Sequence, residues 1–259
     1  MSRPKSLKLS QGAAAIVTGA GSGIGRSFAL ELARRGGNVL CVDIHPERAA
    51  QTAAQVDELG GRGIAYTCDV GDEKQFAELA AKADGLLGRA TTVIVNNAGV
   101  GVGGRIGDVS LEDWRWCLSV NLWGVIHGCH EFAPRFRKLG YGGIINTASA
   151  AGFAAAPEMT TYNVTKSAVL SLSETLSAEL SGTGVHVSAL CPTIVPTNII
   201  NDSRFPGDRK TFAAKAMEKW AFTNSGEVAR LTLDAMDRSQ LCVLPQWDGR
   251  LMWRAKRAF

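Results

Sequence analysis

Thr18-Gly19-Ala20-Gly21-Ser22-Gly23-Ile24-Gly25 is the stretch on which the fold turns. It stands between a short apolar run, Ala13–Thr18, and a segment with helical spacing of apolar residues, Ile24–Arg35. A strand that passes through such a turn directly into a helix uses glycine because a backbone without Cβ turns tightly and lets another group come close. The helix then presents unpaired amides and the positive end of its dipole at the turn, a natural seat for phosphate. Alone, a glycine-rich turn is a weak signal, since tight strand-to-helix connections need glycine for structural reasons. Placed after the first strand and opening the first helix, it points to a dinucleotide pyrophosphate.

The pattern around the turn extends that reading. Asp43 closes a second apolar run, Asn38–Asp43, and an acid there accepts hydrogen bonds from the adenosine ribose hydroxyls. A strand-ending or helix-capping aspartate is the ordinary alternative. Turn and acid in this order are stronger together than apart. Further runs at Ile64–Asp69, Thr92–Asn96, Gly142–Thr147, Val185–Cys191 and Leu241–Pro245 are each bounded by Gly, Pro, Asn or Asp. Helical patterns lie between them at Ile24–Arg35, Pro46–Leu59, Glu73–Leu87, Leu111–Arg137, Tyr162–Leu180 and Glu227–Asp237, and Ser110 with Asp113 resembles a capping box. Strands apolar on both faces that alternate with helices predict an α/β, Rossmann-type, doubly wound three-layer sandwich with a central parallel sheet of about seven strands. Residues 1–259 read as one catalytic domain. Residues 192–224 make a connection too long for a plain turn, and are expected to cover a substrate at the strand ends.

Asn96-Asn97-Ala98-Gly99 after the fourth run and Cys68-Asp69-Val70 after the third add to the Thr18–Gly25 turn. With Asn121, Ser149, Tyr162, Lys166 and Pro192 to Thr197, the ordered set resembles the short-chain dehydrogenase/reductase family over almost the whole chain. The resemblance implies NAD as cofactor and a hydride passing between it and an alcohol or ketone carbon. It places Gly19, Ser22, Gly23, Ile24 and Gly25 at the pyrophosphate, Asp43 and Asn97 by the adenosine ribose, and Asp69 and Val70 at adenine. It places Thr197 at the nicotinamide carboxamide. Tyr162 is then the acid–base, Lys166 holds the nicotinamide ribose and biases Tyr162, Ser149 bonds the substrate oxygen, and Asn121 supports a water between Lys166 and solvent. Chemistry agrees with the roles. Tyr162 and Lys166 are four apart on one helix face, and a nearby ammonium favours the phenolate of a residue whose ordinary pKa is about 10. A Tyr-x-x-x-Lys pair by itself is common on solvated helices. Two departures stand out: Thr193 follows Pro192 where the family has glycine, and the last strand lacks an Asp-Gly-Gly ending, which puts the family's tetramer in doubt.

Other classes are excluded or left as alternatives. The net charge of +4 and the absence of a like-charge block argue against nucleic acid. No run of eighteen apolar residues occurs and the first ten residues carry no signal-peptide core, so no membrane is expected and the cytoplasm is the predicted compartment. Six scattered cysteines form no CxxC, and His127, Cys129 and His130 lack a metal-site spacing. The expected partner is a small apolar substrate, from the mostly apolar Ala150–Met159 and from Ile194, Val195, Ile199 and Ile200. These two segments and Val100–Arg105 are expected to converge over the nicotinamide, and a homo-oligomer, dimer or tetramer, is expected. The basic, aromatic tail from Arg250 to Phe259 reads as packing on its own subunit or a neighbour, with contact to a membrane surface or an anionic substrate group as the alternative. An NADPH-dependent biosynthetic ketoreductase is the alternative within the fold, and a non-catalytic NAD-sensing module the alternative outside enzymology.

Overall fold

The computed structural model describes residues 8–205 and 223–258. Its sheet has seven parallel strands in the order β3-β2-β1-β4-β5-β6-β7: β1 (Ala14–Thr18), β2 (Asn38–Asp43), β3 (Arg62–Thr67), β4 (Val93–Asn96), β5 (Gly142–Thr147), β6 (Val185–Leu190) and β7 (Cys242–Val243). Between them run α1 (Gly23–Arg34), α2 (Pro46–Glu58), α3 (Glu73–Leu87), α4 (Leu111–Leu118), α5 (Gly124–Leu139), α6 (Ala151–Ala154), α7 (Thr160–Glu179) and α8 (Ser225–Asp237), and α9 (Trp247–Ala258) follows β7. This is the expected Rossmann-type sandwich.

The strands show why both faces are covered. All five residues of β1 are buried, and they alternate. Ala14 and Ile16 join Phe76, Leu79, Phe132 and Phe136 on one face, whereas Ala15 and Val17 join Phe28, Leu32, Leu233 and Met236 on the other. Each large side chain so buried contributes roughly 1.5–3 kcal/mol, so the two layers form a stiff frame. The chain winds outward from β1 to β3, then returns to place β4 on the other side of β1. The carboxyl ends of β1 and β4 therefore diverge into a crevice, the usual ligand position in such a sheet.

Local chemistry sets the ends of the elements. Asp72 caps α3 by accepting from the amides of Lys74 and Gln75 at 2.9 and 3.2 Å, and Gly88 closes it in the left-handed region. Ser110 Oγ accepts from the Asp113 amide at 3.0 Å, which is half of the expected capping box. The other half differs: the Asp113 carboxylate accepts from the Ser110 hydroxyl, at 2.9 Å, rather than from the Ser110 amide.

Several boundaries differ from the sequence reading. β3 lies two residues earlier than Ile64–Asp69, because Asn38 pairs with Arg62 in register. The Leu111–Arg137 helix is broken by a π turn, Ser119–Trp123, and runs on to Leu139. The Leu241–Pro245 strand shrinks to Cys242–Val243 before Pro245, which has no amide to give. The tail forms helix α9. Residues 206–222 of the expected 192–224 covering loop lie outside the described residues. Among the described residues no helix is long and apolar enough to cross a membrane, and no group of His, Cys, Asp and Glu is arranged to hold a metal ion.

Candidate active site

A cavity of about 870 Å³ runs along the carboxyl ends of the strands, and residues of the glycine turn, Asp43, Ser149, Tyr162 and Lys166 all line it. Its first wall is the turn between β1 and α1. Gly19 has φ +63°, and a Cβ there would come within 2.8 Å of Ala98 Cα. A Cβ on Gly25 would strike the Gly19 carbonyl, so α1 starts hard against the turn. Ser22 is the N-cap of α1 in extended backbone, and its side chain makes no capping bond. The leading amides of α1 are thus left to a ligand, as a phosphate seat requires. Thr197 hangs over the turn from the opposite side, its Cγ2 2.8 Å from where a Cβ on Gly23 would lie.

Asp43 is held by backbone: its Oδ2 accepts from the Gly21 amide at 2.8 Å and its Oδ1 from the His45 amide at 3.0 Å. Each oxygen keeps a second lone pair for a hydroxyl. Asp69 forms a local turn, Oδ1 accepting from the Gly71 amide at 2.9 Å, and Val70 beside it offers its carbonyl to His127 Nδ1 at 2.9 Å. A carbonyl only accepts, so Nδ1 carries the proton and His127 is a structural donor. At the switch between β1 and β4, Thr18 Oγ1 accepts from the amides of Asn97 and Ala98 at 2.9 and 3.1 Å, and Asn97 Nδ2 donates to the Thr18 carbonyl at 3.0 Å.

The other end is built from residues far apart in sequence. Lys166 is buried and donates to the Thr147 carbonyl at 2.7 Å, with its Nζ 5.6 Å from the Tyr162 ring centroid. Burial pushes the Tyr162 hydroxyl up to about 12, against the easing effect of the Ser149 hydroxyl. Burial also pushes Lys166 down to about 8. This differs from the expectation that the ammonium draws Tyr162 toward the phenolate. Among the protein's own groups desolvation dominates, and Lys166 is aimed at a carbonyl rather than at the phenol. Ser149 Oγ accepts from the Ala151 amide at 3.1 Å. Asn121, fully buried in the π turn, clamps the segment after β4: its Oδ1 accepts from the Val100 amide and its Nδ2 donates to the Val100 carbonyl, both at 2.8 Å.

The three expected covering segments do meet. Val102 bridges to Arg204 and Gly104 to Met159, and the Gly101 amide donates to Ser203 Oγ at 2.8 Å. Arg204 adds a tie to α4, with Nη1 2.8 Å from Asp113 Oδ1 and its guanidinium carbon 4.1 Å from the centre of a Trp116 ring. Trp116, Phe205 and Met252 also line the cavity and were not foreseen. Met252 comes from α9, which docks by Trp253 edge-on to Phe153, with centroids 4.9 Å apart. Thr193 explains its own departure from the family pattern. Its amide donates to Gln246 Oε1 at 3.1 Å and its hydroxyl to Asp248 Oδ1 at 3.2 Å, so it fastens the start of α9 to the strand end.

The arrangement brings the leading amides of α1 at a glycine turn, a carboxylate held by backbone amides, and Ser149, Tyr162 and Lys166 together along one mostly apolar chamber. Comparison with known proteins agrees. Residues 13–205 match the family model described as short chain dehydrogenase. "Probable oxidoreductase EphD" of Mycobacterium tuberculosis is 38% identical over 190 residues, which are 73% of this chain and 32% of EphD, so the match spans about a third of that protein. D-threitol dehydrogenase of Mycolicibacterium smegmatis is 33% identical, covering 84% of this chain and 83% of its own. Among solved structures, a Burkholderia phymatum short chain dehydrogenase/reductase in complex with NAD is 32% identical with TM-score 0.88, covering 97% of this chain and 94% of that one. A Sphingobium yanoikuyae short-chain dehydrogenase in complex with NADPH is 28% identical with TM-score 0.81, covering 94% and 92%. A bulky-bulky ketone specific alcohol dehydrogenase from Comamonas testosteroni is 26% identical with TM-score 0.77, covering 94% and 92%. On the family match, the chain belongs to the short-chain dehydrogenases.

Proposed function

We propose that the protein is an NAD-dependent alcohol dehydrogenase/ketoreductase for a hydrophobic secondary alcohol or its ketone. The observation that carries this reading is one crevice with Asp43 at its far end and Ser149, Tyr162 and Lys166 at its near end. Residues 19–25 hold the pyrophosphate, Asp43 and Asn97 the adenosine side, Asp69 and Val70 the adenine, and Thr197 the carboxamide. When bound, the nicotinamide supplies or accepts the hydride. Tyr162 moves the proton at the substrate oxygen, Ser149 bonds that oxygen, and Lys166 holds the nicotinamide ribose. Asn121 positions the Val100 segment and supports the proton path from Lys166. With its hydroxyl raised by burial, Tyr162 stands protonated at neutral pH, the state needed to protonate a ketone oxygen as it is reduced.

NAD is favoured over NADP because Asp43 and a 2′-phosphate would be like charges in a partly desolvated place. An apolar substrate suits a chamber walled by Val102, Ala154, Met159, Ile199, Phe205 and Met252. Its polar members are engaged: Glu158 pairs with Arg105 at 2.9 Å, and Ser203 bonds the Gly101 amide. The Comamonas neighbour is an alcohol dehydrogenase specific for bulky-bulky ketones. The Mycolicibacterium relative, by its name, acts on the polyol D-threitol, which makes polyols the competing class. The chain works as one domain in the cytoplasm, with residues 192–205 after β6 covering the substrate. Exposed Trp123 and Val164 suit burial between like subunits. The test is a panel of cyclic and aryl secondary alcohols beside polyols, read as NADH or NADPH absorbance. Cyclic or aryl alcohols with NAD should win by at least about tenfold in kcat/KM, a gap of ~1.4 kcal/mol. A polyol win overturns the substrate class, and equal use of NADP overturns the cofactor choice.

A further inference from the structure

Arg26 and Arg48 stand at the Asp43 end of the crevice, and both are held by the protein. Arg26 donates from Nε to Thr52 Oγ1 at 3.1 Å and from Nη2 to the Gly21 carbonyl at 2.5 Å. Arg48 lies in the first turn of α2. A Cβ on Gly21 would fall 2.6 Å from Arg48 Cβ and 2.7 Å from Asp43 Oδ2, so the Arg48 stem starts beside the carboxylate that faces the adenosine ribose. Its guanidinium nevertheless leaves that place, and Nη1 donates to Asp202 Oδ2 at 3.0 Å. Asp43, whose oxygens each accept one amide bond and keep a lone pair to spare, does not retain it; the guanidinium is paired with Asp202 instead. Asp202 sits in the substrate-covering segment, just beyond the 3-10 turn Asn198–Ile200, and lines the same cavity as Asp43 and Arg48.

We propose that Asp202 is a cofactor-specificity residue that acts through Arg48. By holding the guanidinium away from the adenosine ribose, it denies a 2′-phosphate the cation it would need beside Asp43. Arginine is the side chain best shaped to pair with phosphate, through parallel N–H bonds, so its diversion is a strong form of discrimination. The device is spread over two distant parts of the chain, a residue of α2 and a residue of the segment after β6, and neither reveals it alone. Both partners are about one-third exposed, at 35% and 34%, so breaking the pair costs the fold little and leaves Arg48 free to swing back. This inference rests on the reading of Asp43 as the ribose-facing acid.

The test is fluorescence titration of wild-type protein, Asp202→Asn, Arg48→Gln and the double variant with NADH and NADPH. Asp202→Asn should shift the NADPH-to-NADH affinity ratio toward NADPH by about tenfold, as expected for one recovered phosphate pairing. Arg48→Gln alone should give no such shift, and adding it to Asp202→Asn should abolish the gain. The kcat/KM ratios for NADP and NAD should follow the same order. The inference is overturned if Asp202→Asn leaves the ratio within about twofold of wild type. It is equally overturned if the double variant keeps the gain, which would place the effect on the Asp202 charge alone. A wild-type preference for NADPH is a separate outcome: it overturns the Asp43 reading, while the comparison of each variant with wild type still decides the role of Asp202.

Discussion

The two ends of the crevice are made by different means. At the Asp43 end the groups that face a ligand are largely backbone or are fixed by backbone: the amides of α1, the Gly19 turn, and a carboxylate gripped by two amides. The turn, the amides and the carboxylate all come from a single β-α-β stretch, 18–45. At the Tyr162 end the working groups are side chains from β5, α7, the π turn and three covering segments, with α9 adding Met252. The first end is rigid because it belongs to the sheet frame. The second is assembled by tertiary contacts such as Gly101 to Ser203 and Arg204 to Trp116, so it is where specificity can change without loss of the fold.

Lys166 is the residue whose loss should damage both halves most widely. Lys166→Met is expected to lower turnover by at least ~10²-fold and to weaken cofactor binding, by loss of an acid–base partner and a ribose contact together. Its titration gives an independent check on protein without added cofactor. Folded Lys166 has its pKa lowered to about 8 by burial, from 10.5. Between those values the unfolded chain holds a proton that the folded chain has released, so the contribution to stability rises with pH, and below about 8 the burial cost is felt in full. Relative to the variant, wild type should therefore gain on the order of 1 kcal/mol between pH 8 and 9 in urea unfolding. Parallel stability curves across that range would show that the buried charge costs nothing.

A smaller effect is expected at the outer wall. Trp253→Ala removes the edge-on contact with Phe153 and loosens α9, which carries Met252 into the chamber. KM for the bulkiest accepted alcohol should rise about threefold to tenfold while NADH affinity stays near wild type, as expected for lost packing on the substrate side only. A change in NADH affinity as large as that in KM would dissolve the distinction between the ends.

This division also explains what the sequence disclosed. Glycines 19, 23 and 25 and Asp43 were readable because backbone geometry restricts residue type locally, and the inner strands because both their faces are apolar, whereas edge strand β3, with no buried residue, was read two residues late. Tyr162 and Lys166 were readable from their ordered company rather than from spacing alone. Met252 was not, since residues 250–259 read only as a basic, aromatic tail; in α9 it shares a face with Gly249 and Trp253, through which the helix docks. The direction in which Arg48 points was equally hidden, because its partner lies 154 residues away. The π turn left no mark in a helix whose apolar spacing simply continues through Ser119–Trp123.

On the proposed reading, one end of the crevice binds the cofactor and the other performs the proton transfer. The most direct test of that reading is Tyr162→Phe, which keeps the ring and removes only the hydroxyl, measured for kcat on an accepted alcohol and for NADH affinity by fluorescence. Turnover should fall by ~10²–10⁴-fold, the range for a lost acid–base group, with the NADH dissociation constant within about threefold of wild type. Near-normal turnover, or a loss of NADH binding that matches the loss of turnover, would contradict it.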